Sequence, residues 1–319
     1  MAAILALGFG CATDGDRRRD SAEGKAVAFL TREVPAWARE NGCYSCHNNG
    51  DAARALYAAS RDGYWISRDV LADTTAWVVK PERWDHNKGD PGFSDKRLAN
   101  IQFASALIAA VESGHAKERS SVKEAARKVA ADQGADGAWP IDAQNTVGSP
   151  ATYGTTLATL MAWRILKEAG GFEAPMRRAE GWLQRAKPRN VPEAAALLGA
   201  SAQSWLFAVK QAECLKMVRE AQTRDGGWGP YADAPPEVFD TALVLLALAD
   251  LPGIEGVEGM IGRGREFLIK EQKVDGSWPP TMRPRGGESY AQQMSTTGWA
   301  TLALLKTGQK SQNPEKAGT

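Results

Sequence analysis

The chain has 319 residues, with 39 Lys plus Arg against 38 Asp plus Glu and a formal net charge of +1. This balance lacks the excess of basic residues that nucleic-acid-binding proteins carry, so we expect no nucleic-acid partner. Hydrophobic residues make up 43% of the sequence, which is enough for a large core, and no apolar run has the length of a membrane-spanning helix.

The N-terminal segment is apolar from Ala2 to Phe9, reaches Cys11 and then becomes abruptly polar. This pattern resembles the end of a secretory or lipoprotein signal, with a lipid anchor expected at Cys11. Residues 1–24 are therefore assigned to a signal-like or lipoprotein-like segment and linker. The alternative is the frayed apolar tail of a cytosolic protein.

The sequence Cys43-Tyr44-Ser45-Cys46-His47 has the spacing at which haem c is attached to proteins. Each thiol forms a thioether to one haem vinyl group, and the adjacent imidazole of His47 binds the iron. We expect one covalent haem c per chain, held on a single tight turn. Because covalent haem attachment normally takes place outside the cytoplasm, the motif also predicts an extracytoplasmic protein, periplasmic or lipid-anchored.

Two other interpretations of the cysteine pair stay open, half of a zinc site and a dithiol redox pair. A structural zinc ion needs four ligands, and no second pair with this spacing occurs in the sequence. Cys214 lies in a helical pattern and is expected to be a core residue, so no disulfide is predicted. The remaining soft ligands are His86, His115, Cys11 and Cys214.

After the haem pattern the chain is a repeat. Three near-identical turns, QGADGAW, QTRDGGW and QKVDGSW, occupy residues 133–139, 222–228 and 272–278. Each turn follows an amphipathic helical pattern and precedes a Thr-rich helix start, where we expect the threonines to cap the helix. The repeated unit is thus an outer helix, a turn and an inner helix.

Degenerate copies of the turn complete a set of six helix pairs with periods of roughly 40 to 50 residues. Helix pairs that bury faces only against their neighbours form an open solenoid or a closed ring, and six pairs favour a ring. We therefore predict an all-α fold, an (α/α)6 toroid over residues 25–319, with the haem-attachment turn in repeat one. The six turns lie near residues 43, 92, 139, 188, 228 and 278.

The three strong turns resemble the QW motifs of the squalene-hopene cyclase and protein prenyltransferase superfamily. The resemblance covers nearly the whole chain after residue 25 and implies the same barrel of inner and outer helices. It also implies a structural role for the turn residues, in which Gln caps a helix end, stacks on Trp and ties outer helices together. These residues are Gln133 and Trp139, Gln222 and Trp228, and Gln272 and Trp278.

Cyclases of this superfamily protonate their substrate with the central acid of an Asp-x-Asp-Asp-Thr-Ala run. The matching stretch here is 237–242, and Phe239 occupies the position of the proton donor. Cyclase activity is therefore disfavoured, and whether the protein is an enzyme stays open. Asp240 is interpreted as a helix cap. The catalytic zinc of prenyltransferases is not expected either, because Cys214 and His115 lack its context.

The inner helices supply an apolar lumen, with Leu157, Leu160, Leu243 and Trp299 among its residues. Such a lumen suits a hydrophobic small molecule, although a packed core would give the same pattern.

The sixth position of the iron has two candidate ligands, and the alternative is an open position with His86 as an ordinary surface residue. All outer-to-inner turns of the ring share one rim, so His86 in repeat two is expected beside His47. Ring closure makes Met282 in repeat six the second candidate, whereas His115 should lie on the opposite rim.

These features favour extracytoplasmic electron transfer or redox sensing with a redox partner protein. The alternative is a lipid- or isoprenoid-binding protein or enzyme that uses the lumen, with haem as its redox partner or as a structural element.

Overall fold

The computed structural model describes residues 18–87, 95–141, 146–201, 208–283, 286–287 and 289–308. From residue 21 onward these residues form twelve α-helices and no strand. The outer helices are α1 Ala22–Asn41, α3 Arg68–Val78, α5 Arg119–Ala131, α7 Glu173–Arg185, α9 Ala208–Ala221 and α11 Val257–Glu271. The inner helices are α2 Ala53–Arg61, α4 Lys96–Glu112, α6 Thr155–Ala169, α8 Val191–Ser201, α10 Val238–Leu248 and α12 Tyr290–Gly308.

The helices form the closed (α/α)6 toroid that the repeats predict. Each inner helix packs against the inner helices before and after it in the chain, and α12 completes the ring by packing against α2 and the residues that precede it. Inner helices are buried on almost every side, whereas α5 and α7 bury a single face. Within the described part of the chain, no helix has the length and apolar composition needed to cross a membrane.

Two short helices modify the regular pattern. A π-helical segment, Cys46–Ala52, runs directly into α2, and a 3₁₀ helix, Pro81–His86, follows α3. The helix α1 begins at Ala22, slightly before the expected boundary at residue 25. The signal-like segment up to residue 17, including Cys11, and the turn predicted near residue 92 lie outside the described residues.

The tryptophan of each strong turn is fully buried and ties the turn to the outer helix that precedes it. Its indole N–H donates to a carbonyl ten residues earlier, over 2.6 to 2.7 Å in all three repeats. A buried indole N–H without such a partner is costly, so the bond fixes the ring as well as satisfying it. The pairs are Trp139 with Val129, Trp228 with Val218, and Trp278 with Leu268.

The threonines of the inner helices do not cap those helices, contrary to the sequence prediction. The helices α6 and α10 begin after Gly154 and Glu237, and neither residue makes a side-chain cap. The threonine hydroxyls instead accept the backbone N–H of the turn tryptophan, which connects the turn to the inner helix. These bonds join Trp139 to Thr159 at 3.1 Å, Trp228 to Thr241 at 2.9 Å, and Trp278 to Thr297 at 3.2 Å.

The turn glutamines tie neighbouring outer helices together. Each side-chain amide donates both to a glycine carbonyl of its own turn and to the first part of the next outer helix, at Pro175, Met260 or Ala22. The bond from Gln272 to the Ala22 carbonyl, 2.8 Å long, joins repeat six to repeat one. At that joint Gly276 has φ +94°, and a Cβ there would lie 2.2 Å from the Lys25 carbonyl oxygen.

Replacing Trp228 by Ala is expected to lower the free energy of unfolding by about 3–5 kcal/mol, because it removes a fully buried aromatic ring and leaves a cavity. Chemical denaturation followed by circular dichroism measures this loss. Trp65 is 86% exposed and serves as the control, since its replacement by Ala should change stability by less than about 0.5 kcal/mol. Equal losses in the two variants would contradict a structural role for the turn tryptophans.

Candidate functional site

The haem pattern takes the place of a turn between α1 and its inner helix. The left-handed conformation of Gly42, φ 64°, ends α1. Tyr44 and Ser45 are not helical, and the helical segment begins only at Cys46. The pattern therefore does not form the single tight turn that we expected from its spacing. The Ser45 hydroxyl accepts the backbone N–H of His47 at 3.2 Å and so starts the π-helical segment as an N-cap.

Repeat two binds the segment between the two cysteines through Tyr44. The Asn87 side chain accepts the Tyr44 backbone N–H at 2.9 Å and donates to the Tyr44 carbonyl at 2.6 Å. The Tyr44 ring stacks on Trp77 with ring centroids 4.5 Å apart. These contacts, none of which follows from the sequence pattern, fix the residues between the two cysteines.

The two cysteines of the pattern, Cys43 and Cys46, are partly exposed, and no disulfide joins either of them to Cys214. Cys214 is buried, and burial raises the pKa of its thiol to about 12, so it is a core residue as predicted. Within the described ranges, no group of three or more His, Cys, Asp or Glu side chains is arranged to share a metal ion.

His47 is positioned by a side chain from the other end of the sequence. Its Nδ1 lies 2.7 Å from the hydroxyl oxygen of Ser295 in α12. In the tautomer that carries the proton on Nδ1, Ser295 accepts this proton and Nε2 keeps the lone pair that a metal requires. Burial lowers the pKa of His47 and so favours the neutral imidazole. The charge of Asp51 acts in the opposite direction and is the smaller effect.

Two fully buried asparagines after His47 anchor the π-helical segment. Asn48 donates to the Tyr290 hydroxyl at 3.0 Å, and Asn49 donates to the Thr74 hydroxyl at 2.8 Å. The first bond reaches α12 and the second reaches α3. Sequence reasoning missed both residues, although two successive asparagines at the start of a buried helix are a signal of side-chain bonding to neighbouring elements.

The residues considered for the sixth iron position lie in different parts of the ring. His86 is exposed at the end of the 3₁₀ helix, next to Asn87, and therefore lies on the rim of the haem pattern. Met282 is partly exposed and follows Thr281, whose N–H bonds to the hydroxyl of Thr296 in α12. His115 packs edge-on against Tyr57 near the far end of α2, on the opposite rim as predicted.

A polar layer crosses the lumen just behind His47. Asp51, 1% exposed, accepts hydrogen bonds from the Gln102 amide at 2.8 Å and from the Tyr153 hydroxyl. Burial, together with Asp51, raises the pKa of Tyr153 well above its ordinary value, so the phenol keeps its proton and donates it. This layer joins the inner helices of repeats one and two to the start of the third.

Trp299 forms the next layer of the lumen. Tyr153 and Phe239 meet its ring edge-on, with centroids 5.4 and 5.7 Å away, and the Arg54 guanidinium lies 4.3 Å from its centroid. Phe239, in the sequence position of the cyclase proton donor, is thus a fully buried packing residue.

Asp240 is not the helix cap that the sequence suggested. It is fully buried and pairs with Arg283 at 2.6 Å, and Glu237 lies 3.7 Å from the same guanidinium. Burial raises the pKa of Asp240 to about 7, although Arg283 acts in the opposite direction. The signal in the sequence was an acid inside an otherwise apolar inner helix, which is a costly position unless a partner is present.

Beyond Trp299 the lumen opens into a cavity of about 420 Å³ on the rim opposite the haem pattern. A smaller adjoining cavity of about 110 Å³ has mostly apolar walls, including Leu157, Leu160, Leu243 and Leu246. The predicted apolar lumen is thus partly filled by packed side chains and partly open.

No protein-family model and no curated protein matches this chain. Solved structures do match. A variant of the type II terpene cyclase MstE from Scytonema, in complex with geranylgeranyl dihydroxybenzoate, has a TM-score of 0.62 at 12% identity, over 92% of this chain and 98% of that one. Apo MstE gives 0.56 at 13% identity, over 92% and 99%. A glycosidase variant gives 0.52 at 14%, over 91% and 99%.

The fold is therefore a terpene cyclase-like α/α toroid. At these identities the likeness concerns the architecture alone and carries nothing about activity or haem. The similarity extends over almost the full length of both chains, so all six repeats belong to the shared architecture.

The contribution of Asp240 to the stability of the toroid should fall as pH rises from about 4 to 7. The pKa of Asp240 in the folded protein lies above the ordinary Asp value of about 3.9, so the native state keeps a proton that the unfolded chain has released in this window. The contribution is present below pH 4 and is lost as pH rises through 7, with an upper limit of about 4 kcal/mol.

Asp240→Asn removes this titration, so the wild type should lose stability relative to the variant as pH rises. Urea unfolding of both proteins between pH 4 and 8 measures it. Parallel pH profiles in the two proteins would show that Asp240 does not change protonation in this window.

Proposed function

We propose that the protein carries one covalent haem c, attached at Cys43 and Cys46, with His47 as an iron ligand. The observation that supports this most directly is the bond between Nδ1 of His47 and Ser295, because it orients the ring and leaves Nε2 for a metal. The two thiols are partly exposed, as attachment to a porphyrin edge requires. When bound, the haem supplies a one-electron couple between ferric and ferrous iron.

The residues around the pattern suit such a group. The indole N–H of Trp77, which stacks on Tyr44, is buried and has no hydrogen-bond partner among the described residues, and the same is true of Trp37 beside Tyr290. Buried donors of this kind need an acceptor, and the propionate carboxylates of a haem are acceptors. Asn87 and Ser295 hold the attachment segment from both neighbouring repeats, which limits its movement.

The function that follows is electron transfer or redox sensing with a redox partner protein. We place the protein outside the cytoplasm, with Cys11 as a lipid anchor, on the strength of the haem pattern and the signal-like start of the sequence. For the sixth iron position we propose His86, because it is exposed and adjacent to the Asn87 that binds the attachment turn. Met282 is the second candidate, since its loop bonds to α12 one residue from Ser295.

The double variant Cys43→Ala, Cys46→Ala, produced together with a haem-ligation system, should contain no covalent haem. Haem staining after denaturing electrophoresis and a pyridine haemochrome spectrum measure the loss. The buried Cys214→Ala variant is the control and should keep a full haem load. Haem that stays on the double variant during denaturing electrophoresis would refute the attachment sites, and stoichiometric zinc without haem in the wild type would favour the zinc alternative.

His86→Ala should open the iron to carbon monoxide and shift its ferric spectrum towards high spin, since the second imidazole is removed. His115→Ala is the matched control and should change neither property, because His115 lies on the opposite rim. Absorption spectra with and without carbon monoxide distinguish the variants. An effect of Met282→Ala without an effect of His86→Ala would transfer the ligand to repeat six, and no effect of either would favour an open iron and catalysis.

A second candidate function is the binding of a hydrophobic small molecule in the lumen, with haem as a redox partner or structural element. The cavity of about 420 Å³ supports it, because this volume lies within the range of small-molecule sites. The turns that resemble QW motifs support a relationship to squalene-hopene cyclases and prenyltransferases. Cyclase chemistry is disfavoured because Phe239 has no proton to give and Asp240 is engaged by Arg283.

A further inference from the structure

The open end of the lumen has an excess of positive charge. Five basic and three acidic side chains line the larger cavity. Each of the acidic ones already pairs with a basic side chain. Their ion pairs are Glu112 with Arg61 at 2.7 Å, Asp250 with Lys306 at 2.6 Å, and Glu168 with Arg119 at 3.9 Å.

Among the basic side chains that line this cavity, Arg54 has the fewest partners. Its guanidinium lies over the Trp299 ring and lines both cavities, and it makes no ion pair or hydrogen bond within the described residues. The nearest acid along the helix, Asp51, is committed to Gln102 and Tyr153. A partly buried guanidinium without an acceptor is a ready site for an anion.

Arg164 lies beside Arg54 in both cavities. It donates to the Gly199 carbonyl at 3.1 Å and is 3.8 Å from Asp250, so only part of its hydrogen-bonding capacity is used. Burial lowers the pKa of Arg164, Asp250 acts in the opposite direction, and the nearby Arg54 lowers it by a smaller amount. Two guanidinium groups that repel each other in a cavity would both be stabilised by a shared anion.

The wall next to these two cations is apolar. Leu157 and Leu160 from α6, Leu243 and Leu246 from α10, and Leu302 from α12 line the smaller cavity that opens beside Arg54 and Arg164. A ligand that fills both cavities must therefore have a charged end and an apolar body.

We propose that this end of the lumen binds an amphiphile with a carboxylate head, which pairs with Arg54 and Arg164 while its apolar chain lies between α6, α8 and α10. The planar guanidinium matches a carboxylate through two parallel hydrogen bonds. The proposal rests on the second candidate function, lumen binding, and is independent of the haem.

Dodecanoate and the uncharged dodecanol, titrated into the full-length protein by calorimetry, test the head-group site. The wild type should bind dodecanoate about tenfold more tightly than dodecanol, as one charge-assisted hydrogen-bonded contact provides. Arg54→Met, which keeps an apolar side chain over Trp299 and leaves Arg164 in place, should lower this preference to about threefold or less and keep dodecanol affinity within about twofold. Arg54→Lys should retain part of the preference, since it keeps the charge.

Arg39→Met is the control, because Arg39 is exposed in the last turn of α1 and lines neither cavity. It should keep the tenfold preference. An equal loss in Arg39→Met would overturn the site at Arg54 in favour of diffuse charge. Equal affinities for the two probes in the wild type would overturn the head-group site while leaving lumen binding intact. Failure of both probes to bind would overturn both.

Discussion

The rest of the structure depends on the contact between the last inner helix and the first. Gly298 in α12 lies against the backbone of Asp51, where a Cβ would be only 2.8 Å from the carbonyl oxygen. This close approach closes the ring and brings Ser295 to His47 and Trp299 to Arg54. Because the two backbones approach so closely at Gly298, α12 contacts His47 on one side of this point and Arg54 on the other. Residues at both ends of the lumen are therefore positioned by this one contact between α12 and the first repeat.

Along this contact the Cys-x-x-Cys-His pattern and the open cavity are separated. The haem pattern lies on the rim of the turns, whereas the cavity with Arg54 opens on the opposite rim. Between them lies the layer of Asp51, Gln102 and Tyr153, in which the carboxylate is fully engaged by two donors. These two bonds connect the inner helices of repeats one and two to the start of the third.

Inside the ring, Phe239 and Asp240 serve packing and charge pairing. Phe239 meets the ring of Trp299, and Asp240 is buried against Arg283. The likeness to terpene cyclases is thus one of architecture, which the same ring of helices can share with other functions.

The sequence by itself determined the six helix pairs, their turns and the haem spacing, because periodicity, turn residues and Cys-x-x-Cys-His are local patterns. It did not reveal that the threonines bond to the turn tryptophans, that Asp240 pairs with Arg283, or that Ser295 holds His47. Only the tertiary structure decided these, since the partners lie between 13 and 248 residues apart. Such contacts arise when the ring closes, and no local pattern encodes which side chains then face each other.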